Sequence, residues 1–323
     1  MSNLKFRAAA VHGAPVYMNK TATLQKAVSL IKQAGADGIT LLVFPETFIP
    51  GSSEILQLTN ACRDNGVAIS LGISERVKNG NTLFNSQLNI DANGTILSTH
   101  RKLQPTYVER AVWAQGSGHT LRTWKTEAGY KLDGLCCWEN TMNGTRQALI
   151  EEGQDIHAGA WPALSTMAGF ESGADSQIEA LMKAHALTGQ CFVLSASNYV
   201  DDTCLEWMAE NLREQDWVKR GGGWSAVIHP FCVFLAGPHT GEEEKLVTAE
   251  IDLGMLAAVK VWVDASGHYK RLEMLGFRAE KKAMWSDDRA AAEGTRRKAN
   301  AGTESMAEGA LETGQASRSK LVP

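Results

Sequence analysis

Apolar residues recur along this chain with two different periods. From Thr21 to Gly35 the apolar positions include Leu24, Ala27, Val28 and Ile31, the three-and-four spacing of a helix with one buried face. Ile39 to Phe44 is instead a continuous apolar run, as expected of a strand covered on both sides. Arg7 to Val11 and Val67 to Ile73 read as further strands, with a helix from Glu54 to Asn65 that stops at Gly66. Asn85 to Ile90 and Thr95 to His100 flank Asp91-Ala-Asn-Gly94, a hairpin turn signal. The alternation then repeats. Strands are predicted over Tyr130 to Cys136, Asp155 to Ala160 and Cys191 to Ala196, with helices over Asn143 to Glu152 and Ser176 to Leu187 between them. Ala226 to Ile228 and Phe231 to Ala236 form a second hairpin candidate, and Lys245 to Ile251 a last strand. Strands alternating with helices and interrupted by hairpins predict an α/β fold with mixed sheets covered by helices; periodicity does not choose among such architectures.

Composition changes this picture at one place. Ser286 to Pro323 holds no aromatic residue and is rich in Ala, Gly, Glu, Ser, Lys and Arg, so it cannot bury enough apolar surface to offset its ordering entropy. The expectation is a domain over residues 1–285 and a polar tail over 286–323 that is disordered or folds only against a partner subunit. Elsewhere the 323 residues are 44% apolar, enough for a sizeable core. A net charge of −4 gives no reason to expect nucleic acid or an anionic membrane as partner. The longest apolar runs are too short to cross a bilayer, and Met1 to Phe6 shows no signal-peptide core. Six cysteines without a paired C-x-x-C spacing argue against zinc and against a disulfide framework, so reduced thiols in a cytoplasm are expected.

Three positions then stand out as chemistry. Cys137 ends the run Gly134-Leu-Cys-Cys137, where a buried strand gives out: a setting with an exposed tip and rigid backing that suits a nucleophile. Taken alone, a free cysteine is more often a small core residue. Glu46 follows Ile39-Thr-Leu-Leu-Val-Phe-Pro45 in a similar setting, and Lys102 follows the strand-like Gly94 to His100.

Together Glu46, Lys102 and Cys137 resemble the catalytic triad of the nitrilase superfamily, the carbon–nitrogen hydrolases. Phe44-Pro-Glu-Thr-Phe-Ile-Pro-Gly51 matches the glutamate motif, His100-Arg-Lys-Leu-Gln-Pro-Thr-Tyr-Val-Glu-Arg110 the lysine motif, and Cys137-Trp-Glu-Asn140 the cysteine motif of the nitrilase branch. Ala158-Gly-Ala-Trp-Pro162, Gly221-Gly-Gly-Trp-Ser225, Ala236-Gly-Pro238 and Gly267-His-Tyr269 follow in family order, so the resemblance runs from Phe6 to about Phe277. It implies a four-layer α-β-β-α sandwich. It also implies that Cys137 attacks, Glu46 acts as base from a dry pocket, and Lys102 with the Trp138 N–H stabilises developing negative charge. Glu109 matches a second family glutamate that positions the lysine; without the motif it would read as a surface partner of Arg101 or Arg110. Trp161 and Pro162 are expected to line the substrate pocket, though a core tryptophan reads equally well from the residues alone. Strand alternation is expected to set Cys136 on the face opposite Cys137, as a core residue. His157 and His268 read as structural, since this chemistry requires no histidine.

The resemblance implies no cofactor and no metal, a small nitrile as substrate, and a homodimer that many relatives extend into spirals or filaments. The expected reaction converts a nitrile and water to a carboxylic acid and ammonia, with an amidase of the same superfamily, or a non-catalytic assembly protein, as alternatives. Two departures bear on substrate range and subunit contacts. Pro50-Gly51 runs directly into Ser52-Ser53-Glu54, where nitrilases continue with Tyr-Pro and an aromatic-rich segment, and Asn143 replaces a proline.

Overall fold

The computed structural model describes residues 5–49, 55–77, 80–212, 215–271 and 273–289. Strand β1 (Lys5–His12) leads to α1 (Lys20–Ala36), where the side-chain oxygen of Asn19 accepts the Ala22 N–H at 3.0 Å and caps the first turn. β2 (Ile39–Val43), α2 (Ile55–Asn65), β3 (Ala68–Arg76) and the hairpin β4 (Leu83–Ile90) and β5 (Ile96–Arg101) follow. The second half contains β6 (Trp124–Lys125), β7 (Lys131–Cys136), α3 (Asn143–Glu151), β8 (Ile156–Trp161), α4 (Ala174–Gly189) and β9 (Phe192–Ser197). It continues through α5 (Asp202–Asn211), the hairpin β10 (Ser225–Ile228) and β11 (Phe234–His239), β12 (Lys245–Asp252) and α6 (Gly254–Trp262).

Register divides the strands into two sheets. β1 pairs with β12 along its whole length and with β2 on its other side, but meets β9 at the single pair His12↔Ser197. One sheet therefore runs β12-β1-β2-β3-β4-β5 and the other β6-β7-β8-β9-β10-β11, joined at that corner. Ala8, Leu41 and Val43 of the first meet Leu132, Ala158 and Leu194 of the second in the layer between them. Ile31, Leu58 and Cys62 of α1 and α2 cover the outer face of the first sheet, and Ile178, Met182 and Ala186 of α4 that of the second. Each such buried aliphatic side chain contributes about 1.5–3 kcal/mol. The result is the expected α-β-β-α sandwich.

Strand β4 departs from simple alternation. Asn85, Gln87 and Asn89 look like a solvent face, yet all three are buried between the sheets. Gln87 Nε2 donates to the Ala158 carbonyl at 3.0 Å, and Asn89 Nδ2 to Asp133 Oδ1 at 3.0 Å, so this polar edge ties one sheet to the other.

The structure adds elements that the apolar pattern did not predict. In α5 only Cys204 is buried and in α6 only Leu256 and Val259, so neither sequence carries a clear one-sided stripe. The tail expected from Ser286 begins with ordered contacts: Arg101 binds Asp287 at 2.8 Å and the buried Asp288 at 3.0 Å, which holds the chain to the domain as far as Arg289. Residues 290–323, and the shortened stretch Pro50-Gly-Ser-Ser-Glu54, lie outside the described residues. Among the described residues no helix is long and apolar enough to cross a membrane.

Candidate active site

Glu46 is delivered by the end of β2. The Phe44 N–H bonds to the Ser70 carbonyl at 2.8 Å, and the chain then turns sharply, with Thr47 in the left-handed region at φ +47°. This turn crosses β3 directly over Gly72, where a Cβ would lie 2.2 Å from the Pro45 oxygen and 2.7 Å from Glu46 Cα. Only glycine lets the base approach the sheet so closely.

Lys102 follows the last residue of β5, with its N–H bonded to the Asn85 carbonyl at 2.8 Å. Its ammonium donates to Glu46 Oε1 and to Glu109 Oε2, both at 2.8 Å. Asn85 Nδ2 donates to the same Glu46 oxygen at 2.7 Å, and the Thr106 N–H fixes Glu109 Oε2 at 2.8 Å. Arg101 turns away to Glu75, Asp287 and Asp288, so Glu109 belongs to the lysine rather than to its arginine neighbours. Burial pushes the Glu46 carboxyl up, against the pull of Lys102, with the charge of Glu109 adding to the rise. Burial acts the other way on Lys102, but Glu46 and its neighbours hold the ammonium above its usual range.

Cys137 lies one residue past β7, at the start of a tight turn over Cys137–Thr141, with φ +53°. It is 2% exposed, so the exposed tip anticipated from the strand end is closed over in this conformation. The turn, not the pleat, separates it from Cys136, because strand alternation ends before Cys137. Burial, followed by the Glu46 charge, raises its thiol well above the ordinary range, while Lys102 and a hydrogen bond from the Trp138 N–H act in the opposite sense. The resting group is a thiol beside a carboxylate whose proton affinity is also raised, so the two groups are matched for proton exchange.

Glu139, two residues on, clamps the cysteine turn to the lysine loop. Its carboxylate accepts the Cys136 N–H at 3.2 Å, the Leu103 N–H at 2.8 Å and His100 Nε2 at 3.1 Å. Burial alone would lower the His100 pKa, but Glu139 holds it up at about 9. Against its own desolvation, Glu139 is held below the usual carboxylate range by His100. A folded-state value above the ordinary 6.5 means that the proton stabilises the fold fully below pH 6.5, and that this stability is lost as pH rises towards 9. The expected loss is about 3 kcal/mol over that window. Chemical denaturation at pH 6.5 and 9 measures it, and the same pair of measurements on His100→Gln should show most of the slope removed.

Trp138 is half-buried, edge-on to the fully buried Trp161 at 6.2 Å and near Phe170 at 6.5 Å. Trp161 therefore backs the tryptophan beside the nucleophile. Pro162 lines a cavity of about 220 Å³ with Tyr17, Ala163, Thr166, Asn198 and Tyr199, and no triad residue shares that lining. His268 is exposed, whereas His157 is buried and bonds to Asn140. Among the described residues no group of His, Cys, Asp or Glu is arranged to hold a metal ion. Sequence reading passed over Gly72, Asn85, Glu139 and Asn140. Glu139 and Asn140 stood inside the cysteine motif, but nothing in the sequence marked Gly72 or Asn85.

A profile of the carbon-nitrogen hydrolase family matches residues 7–261. The aliphatic nitrilase of Rhodococcus rhodochrous is 32% identical over 303 residues, spanning 84% of this chain and 81% of that protein. The bromoxynil-specific nitrilase of Klebsiella pneumoniae subsp. ozaenae is 34% identical over 297 residues, 82% of each chain. The solved carbon-nitrogen hydrolase of Helicobacter pylori G27 superposes with a TM-score of 0.70 at 16% identity, over 86% of this chain and 100% of that one, a likeness that concerns the fold.

Proposed function

The chain belongs to the carbon-nitrogen hydrolase family, and from that premise we propose that it hydrolyses an organic nitrile to the carboxylic acid and ammonia. One observation supports this above others: the Lys102 ammonium, 2.8 Å from both Glu46 and Glu109, acts on the thiol of Cys137 at its left-handed turn. Glu46 takes the thiol proton as the sulfur adds to the nitrile carbon and passes it to the nitrogen, whose developing negative charge Lys102 stabilises, so the carboxylate is free again. The product is a thioimidate. Water, deprotonated by Glu46, adds to its carbon; the tetrahedral adduct expels ammonia and leaves a thioester. A second water releases the acid and restores the thiol, so each nitrile consumes two waters. Glu109 holds the lysine between the two carboxylates. Trp138 beside the nucleophile, and the likeness to the aliphatic and bromoxynil-specific nitrilases, favour nitriles over carboxamides.

Purified protein supplied with a panel of aliphatic and aryl-aliphatic nitriles and the matching amides tests the reading. Ammonia from nitriles, with a substrate-derived mass adduct on Cys137, is expected. Ammonia from amides alone would identify an amidase instead, and no ammonia with no adduct would favour a non-catalytic assembly protein.

The proposal extends to a homodimer joined through α3, α4 and the chain after Leu253. Val261 is 83% exposed and Trp262 76%, an apolar surface at the end of α6 that a second copy would cover. Light scattering on dilute protein should report twice the 35.0 kDa chain mass; a stable, active monomer would overturn the assembly. Longer spirals or filaments would need a further heterologous contact.

A further inference from the structure

Cys137 holds its left-handed backbone, φ +53°, at a cost of about 1–3 kcal/mol that surrounding contacts must offset. Asn140 supplies them. Its Nδ2 donates to the carbonyl of Cys137 at 2.9 Å and to that of Leu135 at 3.2 Å, one at the nucleophile and one on the strand that delivers it. Both amide protons are thereby used, and Oδ1 accepts from His157 Nε2 at 2.9 Å. Turned over, the amide would set its oxygen against two carbonyl oxygens and its nitrogen against the histidine donor, so the carbonyls and the histidine together fix the orientation.

His157 lies on β8 and is fully buried, its ring packed at a 38° tilt against that of His185 of α4 with centroids 3.9 Å apart. Burial, with His185 and Arg146 nearby, pushes its pKa far below the ordinary range, so the ring is neutral. Its single proton sits on Nε2, the nitrogen that faces an acceptor, because Nδ1 has no hydrogen-bond partner. His185 Nε2 bonds Gln154 Oε1 at 2.8 Å and Gln154 Nε2 bonds the Asp133 carbonyl at 2.7 Å, which ties the paired rings back to β7.

We infer that His157 and Asn140 are positioning residues for the nucleophile: His157 orients the Asn140 amide, and the amide holds the Cys137 turn in the conformation from which its sulfur attacks. This rests on the reading of Cys137 as nucleophile, and not on which carbon–nitrogen bond is opened.

Two polar substitutions of similar character separate the inference from a general loss of packing. The amide nitrogen of glutamine reaches the place of histidine Nε2, whereas that of asparagine falls near Nδ1. His157→Gln is expected to keep kcat within about 3-fold of the unmodified protein. His157→Asn should lose kcat by about 10–100-fold with KM within about 2-fold, because binding persists and attack geometry is lost. Asn140→Asp, which cannot donate to both carbonyls at once, should lose at least as much. Equal kcat in the Gln and Asn variants, or a loss carried in KM, overturns the inference. The assay uses whichever of nitrile or carboxamide releases ammonia with the unmodified protein, so an amide-only result sinks the nitrile reading and leaves this one measurable. A crystal structure of His157→Asn gives a readout that needs no substrate. Asn140 displaced from the Cys137 carbonyl supports the inference; Asn140 and Cys137 both unmoved overturn it.

Discussion

Cys137→Ala is expected to abolish ammonia release, by on the order of 10⁴-fold or more, while Cys136→Ala keeps most of it. On the proposed mechanism, removing this sulfur leaves the pocket able to bind but with no route to a thioimidate. Cys136 is also fully buried and its thiol is also raised, by burial first and then by Glu46 and Glu139, so proximity to charge does not distinguish the pair. Backbone geometry does. Cys136 is the last residue of β7 in regular extended pairing with Ala160, and Cys137 is the residue thrown into the left-handed turn with the Trp138 N–H on its sulfur. Cys136→Ala costs a small cavity, about 1 kcal/mol. Ammonia release by both variants at matched folded concentration decides the assignment: turnover retained in Cys137→Ala, or lost equally in Cys136→Ala, would refute it.

Lys102→Met removes activity and stability together. The ammonium is fully buried and is the shared cation of Glu46 and Glu109, each at 2.8 Å. Without it two carboxylates face each other in a dry site, and one must take up a proton or the fold must open. The expected loss is about 10³-fold in kcat, from the missing charge at the developing anion, and about 3–5 kcal/mol in stability, from the unpaired buried charge. Glu46→Gln alone should lose activity to a similar degree with a much smaller change in stability, because Asn85 and Lys102 can still bond a neutral amide oxygen. The double variant Lys102→Met/Glu46→Gln should regain part of the stability and none of the activity. Denaturant midpoints for the three proteins, with ammonia release, give the test; a stable Lys102→Met with kcat within about 10-fold of the unmodified protein contradicts the ion cluster as described.

The residues visible in the sequence were those whose chemistry is marked by where a strand ends. Glu46, Lys102 and Cys137 each follow a strand-like run, and the structure brings the glutamate and lysine into direct contact beside the cysteine turn. Glu109 was visible only through its motif, since it lies seven positions after Lys102, beyond the end of the strand. Asn85 was hidden by a rule that usually works. Alternating polar residues along β4 predict a wet face, but the second sheet covers that face, and Asn85, Gln87 and Asn89 became the polar contacts within and between sheets. Gly72 was silent because its role depends on a chain segment that crosses it from 26 residues earlier, at Glu46.

By itself, then, the sequence determined most elements, the strand ends that carry the three reactive groups, and the family to which their motifs belong. Those properties follow from local period and residue type, which act within a few positions. Tertiary structure alone decided that Cys137 would be enclosed instead of exposed, that its turn rather than strand alternation would set it apart from Cys136, and that Lys102 would bridge two carboxylates. It also decided that Asn140 and His157 would stand behind the nucleophile, and that Asp287 and Asp288 would belong to the domain through Arg101. Each of those depends on burial and on partners far apart in the chain, where dielectric and hydrogen-bond satisfaction, not local pattern, set the outcome.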